Sequence, residues 1–227
     1  MHIDRALNLT WAIAWIASAS TTIHPLRTRD SDSLLPEPRP KISRLHFWGS
    51  GCTRASQEHG SVDVVGADYE HITVRLRDFA ARIGPGTNVT ERTTFCQLSM
   101  QFEDAEPGWQ VALDSAEFRG HLSLTPPVTM HTWMISFFVE DAAKTTTSTA
   151  RTEPASTSDS DITTSLEVPE SKSVWSLCSD RSGYTGVIDV NYRVAFTTKE
   201  QPGTGSFGKT GRGAVTESLY FKWRRCE

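Results

Sequence analysis

The chain has 227 residues, 37% of them hydrophobic and 22% charged, with a formal net charge of -4. That length is enough to bury one sizeable core, and no second core is suggested. The mildly acidic balance and the scatter of Lys and Arg leave no electrostatic footprint for nucleic acid or anionic lipid, so neither is expected as a partner.

Residues 1–19 read as a signal peptide. Arg5 supplies a short charged start, an apolar run follows from Leu9 to Ala17, and Ala17-Ser18-Ala19 suits signal peptidase. The apolar run is far short of the roughly 20 residues a membrane-spanning helix needs, so no membrane association is expected after cleavage. Residues 20–41 carry Pro36, Pro38 and Pro40 on alternate positions and read as a Pro-rich linker or pro-segment. The folded domain is expected over 42–227.

From there short runs alternate apolar and polar residues between turn signals, the pattern of antiparallel sheets. Strands are expected from Ser43 to Trp48 and from Ser61 to Val65. A third runs from Ile72 to Asp78, with a helical turn allowed after it. In FCQLSMQF, Phe95 to Phe102, Cys96, Leu98, Met100 and Phe102 share one face. Further strands are expected from Trp109 to Leu113, Phe118 to Leu124, Val128 to Val139, Ser173 to Leu177, Val187 to Thr197 and Val215 to Trp223. About nine or ten short strands give an all-β, antiparallel β-sandwich, with jelly-roll and immunoglobulin-like topologies both open. Residues 141–161 are rich in Ser and Thr and nearly free of large apolar groups, and read as a disordered surface loop suited to O-glycans.

Export places Cys52, Cys96, Cys178 and Cys226 in an oxidising compartment, where an even count predicts two disulfides. Three connectivities are possible. Pairing Cys52 with Cys96 and Cys178 with Cys226 is favoured because it closes loops of similar length. No C-x-x-C spacing supports zinc or a redox pair. Asn88-Val89-Thr90 is an N-glycosylation sequon in a Gly-Pro-Gly loop, so Asn88 is expected to carry a glycan.

The fixed points GSGC (Gly49 to Cys52), DF (Asp78, Phe79), FCQL (Phe95 to Leu98) and PGWQ (Pro107 to Gln110) precede FRG (Phe118 to Gly120), VWSLC (Val174 to Cys178) and KWRRC (Lys222 to Cys226). Their order resembles a family of small secreted fungal proteins catalogued as a domain of unknown function (four-three-six-zero), over about Ile42 to Cys226. The resemblance implies secretion, a β-rich domain and four matched cysteines, and it implies no activity or catalytic residues. The chain departs from the family pattern at its first cysteine, where Cys52-Thr53-Arg54-Ala55-Ser56 stands in place of C-P-x-G-[ST]. It departs also at His121, where an aromatic is usual, and at Ser179, where Gly is usual.

One motif points elsewhere. GTGSFGKT, residues 203–210, fits the phosphate-binding pattern G-x-x-x-x-G-K-[ST]. A P-loop needs a helix after it to present its N–H groups, and here Gly211 and Gly213 precede an alternating strand. The stretch is therefore read as a flexible, Gly-rich loop with a solvated Lys209, and no nucleotide is expected.

Other chemistry lacks an anchor. The run Glu103-Asp104-Ala105-Glu106 has no EF-hand spacing for Ca²⁺. His46, His59, His71, His121 and His131 are dispersed singly. No G-x-S-x-G elbow is present, and no carboxylate pair stands out for glycoside hydrolysis. Neither catalytic residue, metal nor cofactor is assigned. Trp48, Trp109, Trp133, Trp175 and Trp223 are expected mostly in the core, with any exposed ring suited to stacking on sugars. The expectation is a secreted, non-catalytic glycoprotein of the extracellular space or cell wall that binds glycan or protein surfaces. A hydrolase of unrecognised type and a structural coat protein are the alternatives.

Overall fold

The computed structural model of the chain describes residues 35–52, 62–199, 202–208 and 213–227. The expected signal peptide, most of the expected linker, His59 and Lys209 lie outside the described residues. Twelve strands follow in order: β1 Lys41–Trp48, β2 Val62–Ala67, β3 His71–Leu76, β4 Ala80–Ile83, β5 Thr93–Glu103 and β6 Trp109–Leu124. Then come β7 Val128–Phe138, β8 Thr145–Thr152, β9 Ser158–Glu167, β10 Val187–Thr198, β11 Gly205–Gly208 and β12 Val215–Arg225.

The strands form two antiparallel sheets packed as a sandwich, with two disulfides. The first sheet is five-stranded, in the order β1-β5-β10-β7-β8. The second is seven-stranded: β2, β3, β12 and β6 run side by side, β11 pairs with β6 and β4, and β9 covers the other edge of β6. Its register shows that β4 continues β3 and that β11 precedes β12 end to end along β6. Two interrupted strands therefore lie next to each other, broken at the same level.

Alternation places the core. Cys96, Leu98, Met100 and Phe102 of β5 and Ile188, Val190, Tyr192 and Val194 of β10 point inward and are buried, as the period of 2 requires. From the other sheet Val74, Phe118, Leu219 and Phe221 meet them. Phe102 stands edge-on to Phe221 and Trp223, at 5.1 and 5.3 Å between ring centroids.

Four expectations about elements are corrected. Trp109–Leu124 is one strand rather than two. A bulge opposite Tyr220/Phe221 shifts the register by one residue, so the inward set changes from Trp109, Val111 and Leu113 to Ala116, Phe118 and Leu122. That change of phase is what looked like a break in the sequence.

The stretch 141–161, expected to be a disordered loop, contains β8 and the start of β9. Thr is β-branched and suits a strand, and on β8 the buried Thr146 and Ser148 hydroxyls donate to the backbone oxygens of Lys172 and Glu167. Backbone pairing with β7 and β6 orders these strands without large apolar side chains.

Ser173 to Leu177 is not a strand. It lies along the edge of β6 beyond β9, where Ser176 N and Ser179 N donate to the Val111 and Trp109 backbone oxygens but hydroxyls take the return bonds: Ser176 Oγ accepts from Val111 N at 3.0 Å and Ser179 Oγ from Trp109 N at 2.9 Å. Ser179, the departure from the family pattern, thus has a bonding role.

Within the phosphate-loop match, Gly205–Gly208 is strand β11 rather than a flexible loop. Phe207 is buried in the core, and a Cβ at Gly208 (φ +93) would lie 2.0 Å from the Phe79 backbone oxygen. The glycines answer to packing between β4 and β6. Their backbone pairs with β4 and β6 in the sheet.

Cys52 is bonded to Cys96 and Cys178 to Cys226. The first joins the turn after β1 to β5; the second fixes the segment before β10 to the end of β12. At the other end of the chain, Pro36 and Pro40 are buried and the Arg39 guanidinium lies 5.6 Å from the Tyr69 ring centroid, so the last part of the expected linker docks onto the domain.

Candidate glycan-binding face

The outward positions of the two sheets differ in chemistry. On the second sheet they include Glu117, Arg119, Thr216, Ser218, Tyr220, Lys222 and Arg224, a mostly polar surface in which Arg119 pairs with Glu117 at 3.1 Å and Tyr220 stacks on His71 with ring centroids 6.3 Å apart. On the first sheet the outward positions of β5, β10 and β7 carry aromatic residues and amides.

Register arranges this face in rows. Phe95, Arg193 and Trp133 share one row across β5, β10 and β7. The next holds Trp48, Gln97, Asn191 and Ile135, and a third His46, Ser99, Asp189 and Phe137. Trp48 is 50% exposed and stands edge-on to Phe95, with ring centroids 5.6 Å apart. The Arg193 guanidinium covers Phe95 at 5.3 Å, and His131 stacks beside Trp133 at 5.6 Å. Three strand spacings separate β1 from β7, so Trp48 and Trp133 are roughly 15 Å apart.

Between them lies a fixed polar network. Gln97 Nε2 donates to Asp189 Oδ2 at 2.7 Å, and Asn191 Nδ2 donates to Gln97 Oε1 at 3.3 Å. Asp189 is buried among its neighbours and its Oδ1 has no hydrogen-bond partner among the described residues. Amides locked by one another present hydrogen-bonding groups in set directions at little entropic cost. Sequence reasoning found the aromatic content but not this constellation, because β1, β5, β10 and β7 are neighbours only in the sheet. The alternation of Phe95, Gln97 and Ser99 opposite the inward Cys96 was the available signal.

The remaining candidate residues are dispersed. Of the five Trp among the described residues, Trp109 and Trp223 are buried, Trp133 and Trp175 are half-buried and Trp48 is exposed, so the expected core placement of most of them is corrected. The acidic run is neutralised by cations: Lys41 reaches Asp104 at 3.0 Å and Arg225 reaches Glu106 at 2.9 Å. His121 lies on the second sheet with Nδ1 2.9 Å from Asp161 and Nε2 2.8 Å from Asp159. Among the described residues no three His, Cys, Asp or Glu are grouped to hold a metal ion. Asn88 is exposed, just before a short 3-10 turn, Val89–Arg92.

A groove of about 700 Å³ lies where β8 approaches the segment 171–178. Its carboxylates are engaged. Glu140 accepts from the Tyr184 hydroxyl and from Val187 N, and Asp141 pairs with Lys144 at 2.6 Å. The bond to Glu140, with burial, pushes the Tyr184 hydroxyl up to about 12, so it stays a donor.

A family model described as a domain of unknown function, DUF4360, matches residues 38–226. An "Uncharacterized secreted protein" of Arthroderma benhamiae is 26% identical over 193 residues, which cover 84% of this chain and 74% of that protein. Among solved structures, TmCBM61 in complex with β-1,4-galactotriose aligns with a TM-score of 0.26 at 12% identity, over 81% of this chain and 89% of its own. A second, from work on the promiscuous specificity of carbohydrate-binding modules of the β-sandwich superfamily, aligns with a TM-score of 0.25 at 12% identity, over 85% and 61%. At such TM-scores these likenesses carry no weight for function, which rests on the chain's own residues.

Proposed function

The chain belongs to the DUF4360 family of domains of unknown function, and from that premise we propose that it is a secreted, non-catalytic β-sandwich that binds glycan through the outer face of its first sheet. The observation that carries this reading is the row Trp48-Gln97-Asn191, an exposed indole beside a locked amide pair, with Phe95 and Trp133 in the adjoining row. An aromatic ring offers its negative face to the axial C–H groups of a sugar, while amides and a carboxylate exchange hydrogen bonds with hydroxyls. The span between the two indoles suits a short oligosaccharide rather than a single ring.

Export is supported by the pattern of residues 1–19, by two disulfides and by the fungal relative's being a secreted protein. The same setting makes the exposed Asn88 an N-glycan site and places the protein in the extracellular space or at the cell wall. The hydrolase alternative lacks comparable support, since Glu140 and Asp141 in the groove are held by Tyr184, Val187 and Lys144.

The test is retention of the secreted protein on insoluble β-glucan, chitin and galactan, compared with Trp48→Ala. We expect retention by at least one polysaccharide and a loss of about tenfold or more in the variant, with thermal stability little changed because the indole is half exposed. No retention on any, or equal retention by the variant, would remove the reading.

A further inference from the structure

The groove between β8 and the segment 171–178 carries a different chemistry from the aromatic face. Arg224 lines it and is held on two sides: its Nε donates to Gln110 Oε1 at 3.2 Å, and its guanidinium lies 4.1 Å from the Trp175 ring centroid. Gln110 is itself fixed, because its Nε2 donates to the Ser176 backbone oxygen at 2.7 Å. The Cys178–Cys226 bond closes the same corner, joining the chain just after Trp175 to the chain just after Arg224. A planar, immobilised guanidinium on a rigid support suits bidentate capture of a carboxylate.

The groove's own lining carries three cations, Lys144, Lys172 and Arg224, against two carboxylates, Glu140 and Asp141, while the cation just beyond it, Lys222, is outnumbered by Glu170 and Asp114. Glu140 and Asp141 are engaged as described. Lys222, behind Trp175, is paired with Glu170 at 2.5 Å and Asp114 at 3.5 Å. Arg224 has only a 4.0 Å approach to Glu227, whose side chain is 91% exposed, and Lys172 at the rim has no carboxylate partner among the described residues. The Ser171, Ser173 and Thr145 positions on the same lining add hydroxyls.

We propose that this groove is a second binding site, taking a uronate-containing oligosaccharide whose carboxylate pairs with Arg224 while its hydroxyls meet the Ser and Thr rim. The site stands apart from the aromatic face of the first sheet and does not depend on it. Its volume falls within the range of small-ligand sites.

Calorimetry with trigalacturonate on the intact, disulfide-bonded protein tests the proposal. Binding is expected, weakening as salt is raised, with cellotriose not competing for it. Arg224→Gln should weaken it by about ten- to a hundredfold, the scale of a charge-assisted hydrogen bond pair. Arg224→Lys, which keeps the charge but not the fork, should recover only part, and melting curves of both variants establish that they fold. Trp48→Ala should leave trigalacturonate affinity unchanged. The proposal falls if trigalacturonate does not bind, if Arg224→Gln binds it equally, or if an acidic peptide of equal charge binds as tightly. Loss of trigalacturonate binding in Trp48→Ala would also overturn it while leaving the aromatic face intact as a site.

Discussion

Glu217 on β12 and Tyr192 on β10 lie within electrostatic reach of each other inside the sandwich, and neither side chain has a hydrogen-bond partner among the described residues. Phe118 links them: it is the cross-strand neighbour of Glu217, and its ring stacks on Tyr192 at 3.5 Å. Burial pushes the Glu217 carboxyl up to about 8, and burial with the nearby Glu217 holds the Tyr192 hydroxyl well above its usual range. A buried glutamate without a cation is kept neutral by the fold.

The first prediction concerns pH. Because the folded value of Glu217 is raised from 4.5 to about 8, the folded state holds a proton that the unfolded state releases between those values. The contribution to stability is therefore full below about 4.5, declines as pH rises through about 8, and is level above. The slope in that window is about 1.4 kcal/mol per pH unit. Chemical denaturation across a pH series should show this decline in the native protein and a flatter profile in Glu217→Gln. A native profile that rises from pH 5 to 8, or one unchanged by the substitution, would contradict it.

Tyr192→Phe should stabilise the domain by about 1 kcal/mol. The substitution keeps the ring between Phe79 and Phe118 and removes a hydroxyl buried without a partner. Urea midpoints of the two proteins decide the matter, and a clear destabilisation would mean that the hydroxyl is satisfied in solution.

Gly208→Ala should cost more than about 3 kcal/mol, combining an unfavourable positive φ with a Cβ driven into the Phe79 backbone. Gly86→Ala is a useful contrast. Its φ of +78 is also left-handed, but nothing lies within 4 Å of a Cβ there, so only the backbone term of about 1 kcal/mol is expected. Equal losses in both would show that packing at Gly208 is not the cause.

Replacing Cys178 and Cys226 together by Ser should lower stability by about 2–4 kcal/mol, through the freed unfolded chain. Hydrogen exchange should locate the local effect at the edge of β6, where Ser176 N bonds Val111 O and Ser179 N bonds Trp109 O. Protection lost uniformly over the sandwich instead would argue that the bond does not specifically hold this segment.

The sequence alone determined the sandwich, because inward Leu98, Val190 and Phe221 repeat at the strand period and a period of 2 requires a buried face on each strand. It also carried the four cysteines and the family pattern. Three things were decided only by tertiary structure. The bulge that reverses the faces of β6 is a property of its pairing with β12. The order in β8 comes from Thr146 and Ser148 bonding backbone oxygens on a neighbouring segment, which composition does not report. The candidate sites join residues far apart in the chain, Trp48 with Asn191 and Gln110 with Arg224. Alternation tells each strand which face is outward, but only sheet order and register determine which outward residues become neighbours.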